Sequence, residues 1–217
     1  MKIPKLKYVS REKYLFEAIS GKKVLHLGCV GERVVGEKEK YFHEYLMQSA
    51  KIIWGVDIDY EGLEKLRIRH QSQANLLILG DATMLESLNL PNDFDLIIAG
   101  DIIEHLVNPS ALFNSLNKFL INNSAKIIIT TPNALGILTV LRAITGYEKI
   151  NEDHCCWFSF STLHKIATIN GWKIDALYTG YDREPKGFGI IKIKIGKIFF
   201  RIFPQWGGTL IAELSKK

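Results

Sequence analysis

Five short apolar runs punctuate the first two thirds of the chain: Val24–Leu27, Ile52–Val56, Leu76–Leu79, Phe94–Ala99 and Lys126–Thr130. Most are bounded by Gly, Asp or Asn, and none alternates with polar residues, which is the pattern of strands buried on both faces. The stretches between them repeat at helical spacing instead. In Glu37–Ala50 the residues Phe42, Tyr45, Leu46 and Ser49 share a face, and in Glu61–Gln71 Leu63 and Leu66 do. Asn108 is a good N-cap and Pro109 suits the first helical position. Leu112, Phe113, Leu116, Phe119 and Leu120 form the stripe that follows. Strand and helix alternating at this length predict an α/β fold, with a parallel sheet covered by helices on both faces.

The last third changes character. Ser161–Asn170 reads as a helix stopped by Gly171 at the C′ position. Strand-like Trp172–Tyr178 and Thr209–Leu214 flank a long connection, which predicts an antiparallel pair ending the sheet. Within that connection Ile191, Ile193 and Ile195 alternate with Lys192 and Lys194. The spacing then turns helical at Ile198, Phe199, Phe200, Ile202 and Phe203, with Lys197 and Arg201 on one face. No repeat or long linker interrupts the 217 residues. One domain is expected over 1–217, with a core over about 20–180, a basic amphipathic connection over 183–203 and a final strand over 209–214.

Composition narrows the class. At 47% hydrophobic and 24% charged the chain can bury a core, which excludes disorder and collagen-like repeats. No apolar run approaches the roughly 18 residues of a spanning helix. Met1-Lys2-Ile3-Pro4-Lys5 lacks the apolar stretch of a signal peptide. Three cysteines, with Cys155 and Cys156 adjacent, make no disulfide framework, so a cytoplasmic protein is expected. The net charge of +5 is local: residues 183–203 hold six basic residues and one acid, leaving 22 of each sign elsewhere. That neutral body argues against a nucleic-acid partner. The basic, aromatic-rich stretch over 190–203 has two readings: peripheral contact with an anionic membrane at its inner face, or cover for the sheet or a partner copy. Oligomeric state is not encoded in any pattern here.

Ligands of open parallel sheets bind beyond the C-terminal strand ends, at the switch point. The first strand is followed by His26-Leu27-Gly28-Cys29-Val30-Gly31-Glu32, the second ends in Val56-Asp57-Ile58-Asp59, the third in Gly80-Asp81-Ala82 and the fourth in Gly100-Asp101. Glycines let backbone amides approach a ligand closely, and a carboxylate after the second strand can accept both hydroxyls of a ribose. Any one of these turns has an ordinary explanation in packing or capping; four in succession point to a nucleoside-type ligand. Gly28, Gly31 and Gly36 do not fit the dinucleotide pattern G-x-G-x-x-G, no Tyr stands four residues before a Lys, and no Gly-Lys pair precedes Ser or Thr as in a P-loop.

Val24-Leu25-His26-Leu27-Gly28-Cys29, Gly55-Val56-Asp57-Ile58-Asp59, Gly80-Asp81-Ala82 and the run from Phe94 through Gly100-Asp101-Ile102-Ile103-Glu104-His105-Leu106 resemble the successive motifs of class I S-adenosylmethionine-dependent methyltransferases. Thr130-Thr131-Pro132-Asn133 and His154-Cys155-Cys156-Trp157-Phe158-Ser159 resemble the subgroup of ubiquinone-type and surface-saccharide enzymes. The resemblance covers about residues 20–180. It implies a Rossmann-like seven-stranded sheet with an antiparallel last strand and S-adenosylmethionine as cofactor. Gly28, Cys29 and Gly31 would line its methionine part, Asp57 would hold the ribose and Ile58 the adenine face. Asp81 would accept from the adenine amino group beside Ala82, and Gly100 and Asp101 would sit near the sulfonium. Two positions depart from the family pattern: His26 stands where most relatives have Asp or Glu, and Val30 and Glu32 stand where relatives have glycines.

A sulfonium methyl is already activated, so the protein must align an acceptor and, for a hydroxyl, remove its proton. His105 is the candidate base, with Glu104 beside it and His154 for the acceptor. The expected activity is O-methylation of a small-molecule or glycan-type acceptor. Two alternatives stand: a small-RNA ribose 2'-O-methyltransferase, which the Asp101–His105 stretch and Asp153-His154 resemble, and a non-catalytic scaffold. Asp101, Glu104 and His105 at i, i+3 and i+4 would meet on one helical turn, where a divalent ion with His154 is a further alternative to a metal-free site.

Overall fold

The computed structural model describes residues 6–31, 41–121, 124–181 and 198–217. Among the described residues eight strands form one sheet: β1 (Lys7–Ser10), β2 (Lys23–Leu27), β3 (Ile52–Asp57), β4 (Leu77–Leu79), β5 (Leu96–Gly100), β6 (Lys126–Pro132), β7 (Trp172–Tyr181) and β8 (Thr209–Lys216). Their order is β1-β7-β8-β6-β5-β2-β3-β4. Only β8 is antiparallel, and it lies between β6 and β7. All seven expected strands are therefore present, and β7 and β8 do pair antiparallel. The sheet does not end on that pair, however, because β1 adds an eighth strand, parallel to β7, with Lys7 opposite Tyr178.

The helices are α1 (Arg11–Ala18), α2 (Phe42–Leu46), α3 (Tyr60–Arg69), α4 (Pro109–Phe119), α5 (Ile137–Ile144) and α6 (Phe160–Ile169). The long helix expected from residue 37 is α2, five residues and a turn; residues 37–40 lie outside those described, as does the alternating stretch 191–195. Residues 198–202 are helical, as their spacing predicts. Side-chain oxygens close three of the helix starts. Asn108 Oδ1 accepts from the Ser110 amide, Ser159 Oγ from Thr162, and Asp59 Oδ1 from Gly62.

The two-residue period sorts the strand residues between two cores. Leu25, Leu27, Ile97, Ala99, Ile127, Ile129, Leu210, Ala212 and Leu214 pack with Leu112, Phe113 and Leu116 of α4 and Leu163 and Ala167 of α6. Val24, Leu96, Ile98, Ile128 and Ile211 pack with Leu15 of α1 and Phe42 and Leu46 of α2. His26 shares the Val24 face, which is why it lies beneath α2 rather than toward α4.

After β2 the chain builds outward through β3 and β4, then returns to place β5 on the other side of β2. The crevice between the ends of β2 and β5 is the switch point, and the backbone there is tight. Gly28 has φ +75°, and a Cβ on it would overlap Ile102 Cγ2. Among the described residues Asp101, opposite it, is the one non-glycine with a positive φ, at 45°. Among the described residues, no helix is long and apolar enough to cross a membrane.

Gly28→Ala should therefore destabilise the fold by about 1–3 kcal/mol through backbone strain alone, with the Ile102 overlap adding to it. Thermal unfolding beside Gly31→Ala checks this, because a Cβ on Gly31 meets nothing closer than 3.8 Å. Equal melting temperatures for the two variants would contradict it.

Candidate active site

Asp57, the last residue of β3, is 9% exposed and borders the crevice. Its Oδ2 accepts from the Val30 amide at 2.7 Å and its Oδ1 from the Asp59 amide at 2.9 Å. Each oxygen keeps lone-pair capacity for a further donor. Beside it Ile58 is 75% exposed and Tyr60 57% exposed, a bare apolar surface where a planar base can pack. Val30, at the position of a family glycine, packs on Gly62 of α3 while its amide engages Asp57. Glu32 lies outside the described residues. Gly31 is exposed at the bend.

The other strand-end candidates divide. Asp81 is exposed and its Oδ1 accepts from the Thr83 amide and hydroxyl, so one oxygen caps the turn that follows. Ala82 is half-buried and packs on the larger core. Cys29 faces inward: it is 1% exposed, a Cβ on Gly55 would come 2.7 Å from its Sγ, and burial pushes its thiol pKa well up. Of Cys29, only the backbone is available to a ligand.

Beneath the crevice lies a polar cluster. His26 Nδ1 is 3.1 Å from His43 Nδ1, with the two rings stacked. Burial, then His43 and Arg11, hold His26 well below its ordinary value; burial, then His70, hold His43 at about 4. Both rings are neutral, so one Nδ1 donates and the other accepts. Arg11, at the start of α1, is 3% exposed; its Nη2 donates to Thr130 Oγ1 at 3.0 Å and lies 3.4 Å from Asp101 Oδ2. Thr130 Oγ1 in turn donates to Asp101 Oδ1 at 2.8 Å. Gly100 closes this group, its position 3.5 Å from Arg11 Nη2 and 3.6 Å from His26 Nε2 measured to a built Cβ.

Glu104 is 1% exposed, and neither carboxylate oxygen has a hydrogen-bond partner; the buried Thr131 hydroxyl beside it is unpartnered too. Burial first, then the nearby Asp101 charge, pushes the Glu104 carboxyl up to about 8. The backbone carbonyl of Glu104 receives the amides of Cys155 and Cys156, which fixes the returning loop against the turn Ile103–His105. That loop lays His154 across His105, ring centroids 4.5 Å apart at 87°. His105 Nδ1 is 3.1 Å from the Asp153 carbonyl, an acceptor, so the proton resides on Nδ1 and Nε2 carries the lone pair. His154 Nδ1 is buried without a partner, and burial followed by His105 lowers the His154 pKa.

Donor atoms of Glu104, His105 and His154 all lie within 4.8 Å of one another. The expectation that Asp101 would join them on one helical turn is not met. The left-handed Asp101 backbone breaks the helical spacing, and the carboxylate is engaged by Arg11 and Thr130 instead. Arg11 and His43 have no counterpart among the residues singled out by sequence, and Thr130 stands there only within the Thr130–Asn133 motif, with no role of its own. A buried cation outside any apolar repeat leaves no trace in the hydrophobic pattern.

A family model described as a methyltransferase domain matches residues 7–177. Among solved structures, a small RNA methyltransferase superposes with a TM-score of 0.62 at 18% identity over 95% of this chain; the chain spans only 25% of that enzyme's length. A SAM-dependent methyltransferase from Archaeoglobus fulgidus superposes at 0.59 and 19% identity, covering 95% of this chain and 90% of that one. Magnesium protoporphyrin IX methyltransferase from Synechocystis PCC 6803, solved with bound SAH, superposes at 0.56 and 18% identity, covering 95% and 80%. These likenesses establish a shared fold. No curated protein sequence matches the chain.

The raised Glu104 pKa carries a stability signature. Folding binds a proton that the unfolded carboxyl releases, so this contribution is full below 4.5 and is lost as pH rises through about 8. Glu104→Gln keeps the uncharged shape and should remove that slope. Melting temperature against pH for the two proteins checks it, and parallel profiles would show Glu104 ionised in the fold.

Proposed function

This chain belongs to the methyltransferase domain family, and we propose that it transfers the methyl group of S-adenosylmethionine to a hydroxyl of a small or carbohydrate-type acceptor. The resemblance of Thr130–Asn133 and His154–Ser159 to ubiquinone-type and surface-saccharide enzymes supports that acceptor class. The observation that carries the reading is the fixed tautomer of His105, whose Nε2 is left with a lone pair where the acceptor must enter.

The cofactor would supply a methyl on a positively charged sulfur, a step that needs alignment rather than further activation. Asp57 is placed to hold ribose hydroxyls, Ile58 to cover one face of the base, and the outward oxygen of Asp81 to accept from its amino group. The tight Gly28 backbone and the open Gly31 would leave room for the methionine chain, and Gly100 and Asp101 would border the sulfur end. Arg11 offsets the Asp101 charge, while Glu104 is held protonated by burial. His105 Nε2 takes the acceptor proton, a contribution of about 10²–10⁴-fold. Neutral His154 orients the hydroxyl.

A second reading has one specific observation behind it. Donor atoms of Glu104, His105 and His154 converge, those of Glu104 and His154 Nδ1 buried without a hydrogen-bond partner, and two imidazoles with a carboxylate suit a divalent ion. Such an ion would lower the pKa of an acceptor hydroxyl. The structural likeness to a small RNA methyltransferase brings a ribose acceptor into the same reading, against which stands the neutral charge of the chain outside 183–203.

Calorimetry with S-adenosylhomocysteine comes first. Binding is expected, and Asp57→Ala should weaken it about 10- to 100-fold, the value of hydrogen bonds to a charged acceptor. No binding by the wild type would leave only a scaffold role. Once an acceptor is in hand, His105→Ala should lower kcat by about 10²–10⁴-fold with S-adenosylhomocysteine affinity unchanged. Full turnover after exhaustive chelation would end the metal reading, and dependence on added Mg²⁺ or Mn²⁺ would replace the metal-free base with it.

A further inference from the structure

Helix α5 inverts the usual distribution of side chains. Six of its eight residues are apolar (Ile137, Leu138, Val140, Leu141, Ala143 and Ile144), yet none is buried. Leu138 is 52% exposed, Leu141 50% and Ile144 75%. By contrast α4, the less apolar of the two, buries Leu112, Phe113 and Leu116. An exposed apolar helix of this kind is unusual on a soluble surface unless something covers it.

The helix does not stand alone. It starts at Gly136, where a Cβ would lie 3.3 Å from Gly208 Cα and 3.4 Å from the Gly207 carbonyl. Asn133 fastens the two segments: its Nδ2 donates to the carbonyls of Gln205 and Gly207, and its amide to that of Gly208. Just before Gly207 stand Phe199, Phe203 and Trp206, stacked at 5.3–5.5 Å, with Ile198, Ile202 and Phe203 exposed beside them. Two apolar elements thus meet at the C-terminal end of β6, the end of the sheet that carries His105 and His154.

We propose that α5 and the aromatic segment 198–206 together form a docking face for an anionic lipid surface. The cations select this occupant. Arg142 on α5 and Arg201 on the second element are exposed, and neither element contains an acid. The fifteen residues leading into Ile198 add five basic residues and one acid by sequence. A second copy docked about a two-fold axis would set these like charges against themselves. An anionic bilayer complements both features, because apolar chains enter the acyl boundary and cations meet headgroups. The face adjoins the acceptor side through the segment from Ala134 to Phe158, which leaves and rejoins the core at the Asn133–Phe158 bridge and carries both α5 and His154.

The experiment is flotation of the full chain with vesicles of phosphatidylcholine alone and of phosphatidylcholine containing phosphatidylglycerol. Wild type should float only with the anionic vesicles. Arg142→Ala with Arg201→Ala should weaken partitioning about 25-fold, or fivefold per charge. Leu138→Glu with Leu141→Glu should weaken it at least about tenfold. All four positions are exposed, so melting temperatures should hold, and S-adenosylhomocysteine binding, which does not involve this face, should be unchanged. Failure to float, flotation indifferent to lipid charge, or full flotation by the Leu pair would each overturn the proposal. A dimer in sedimentation that the Leu pair disperses would overturn it in favour of a second copy.

Discussion

A single buried guanidinium holds the switch point together. Arg11 leaves the start of α1 and reaches across the second core to Thr130 on β6 and Asp101 beyond β5. It stacks over the Phe42 ring of α2 at 5.3 Å on the way. Removing one member of such a pair strands the other charge in a low-dielectric setting, typically a loss of 3–5 kcal/mol. The eighth strand follows from this requirement. β1 pairs with β7 at the far edge of the sheet, and that pairing sets where α1 begins and so where Arg11 can reach. The N-terminal arm is structurally a support for the crevice, although it contributes no residue to the strand-end motifs.

Burial governs ionisation around Arg11, with the cation adding to the balance. Burial first, then His43, then the Arg11 charge keep the His26 ring neutral. The His26–His43 pair is the polar link between β2 and the helix above it. One shared proton joins the two Nδ1 atoms, while His26 Nε2 is buried without a hydrogen-bond partner. On the other side, the Arg11 charge lowers the Glu104 pKa, but burial and Asp101 outweigh it and the carboxyl stays high. The crevice is therefore graded: an engaged carboxylate at Asp101, a neutral acid at Glu104, and a fixed imidazole lone pair at His105.

What could be read from the sequence tracks what is buried on both sides. β2, β5 and β6 are bare apolar runs because each strand faces two helical layers, so their positions and even the period-two sorting follow from residue type alone. β1 has half-exposed faces over four residues and leaves little hydrophobic pattern, whereas α5 is apolar in sequence yet buries nothing, so its pattern does not report burial. Among site residues, Asp57 and Glu104–His105 were visible because strand ends in this architecture are functional positions. Arg11 was not, since a cation buried by long-range pairing looks like any surface arginine in one dimension. The apparent i, i+3, i+4 set failed at Asp101 for a local reason: its left-handed backbone turns the carboxylate away from the helical face that spacing assumes.

The segment from Ala134 to Phe158 shows how acceptor choice can vary without disturbing the cofactor side. Its two ends are held at the Asn133–Phe158 bridge and at the Glu104 carbonyl that receives Cys155 and Cys156, by backbone hydrogen bonds indifferent to the side chains between them. The excursion can therefore change in length and polarity while His154 returns to the same place against His105. Cofactor residues, in contrast, are tied through side chains: Asp57 to the Val30 amide, Val30 to Gly62, and Gly28 to the space left by Ile102. Substitutions there propagate through packing, whereas substitutions along α5 meet solvent. In this chain leucine and isoleucine stand outward there, at the end of the sheet that carries His105 and His154.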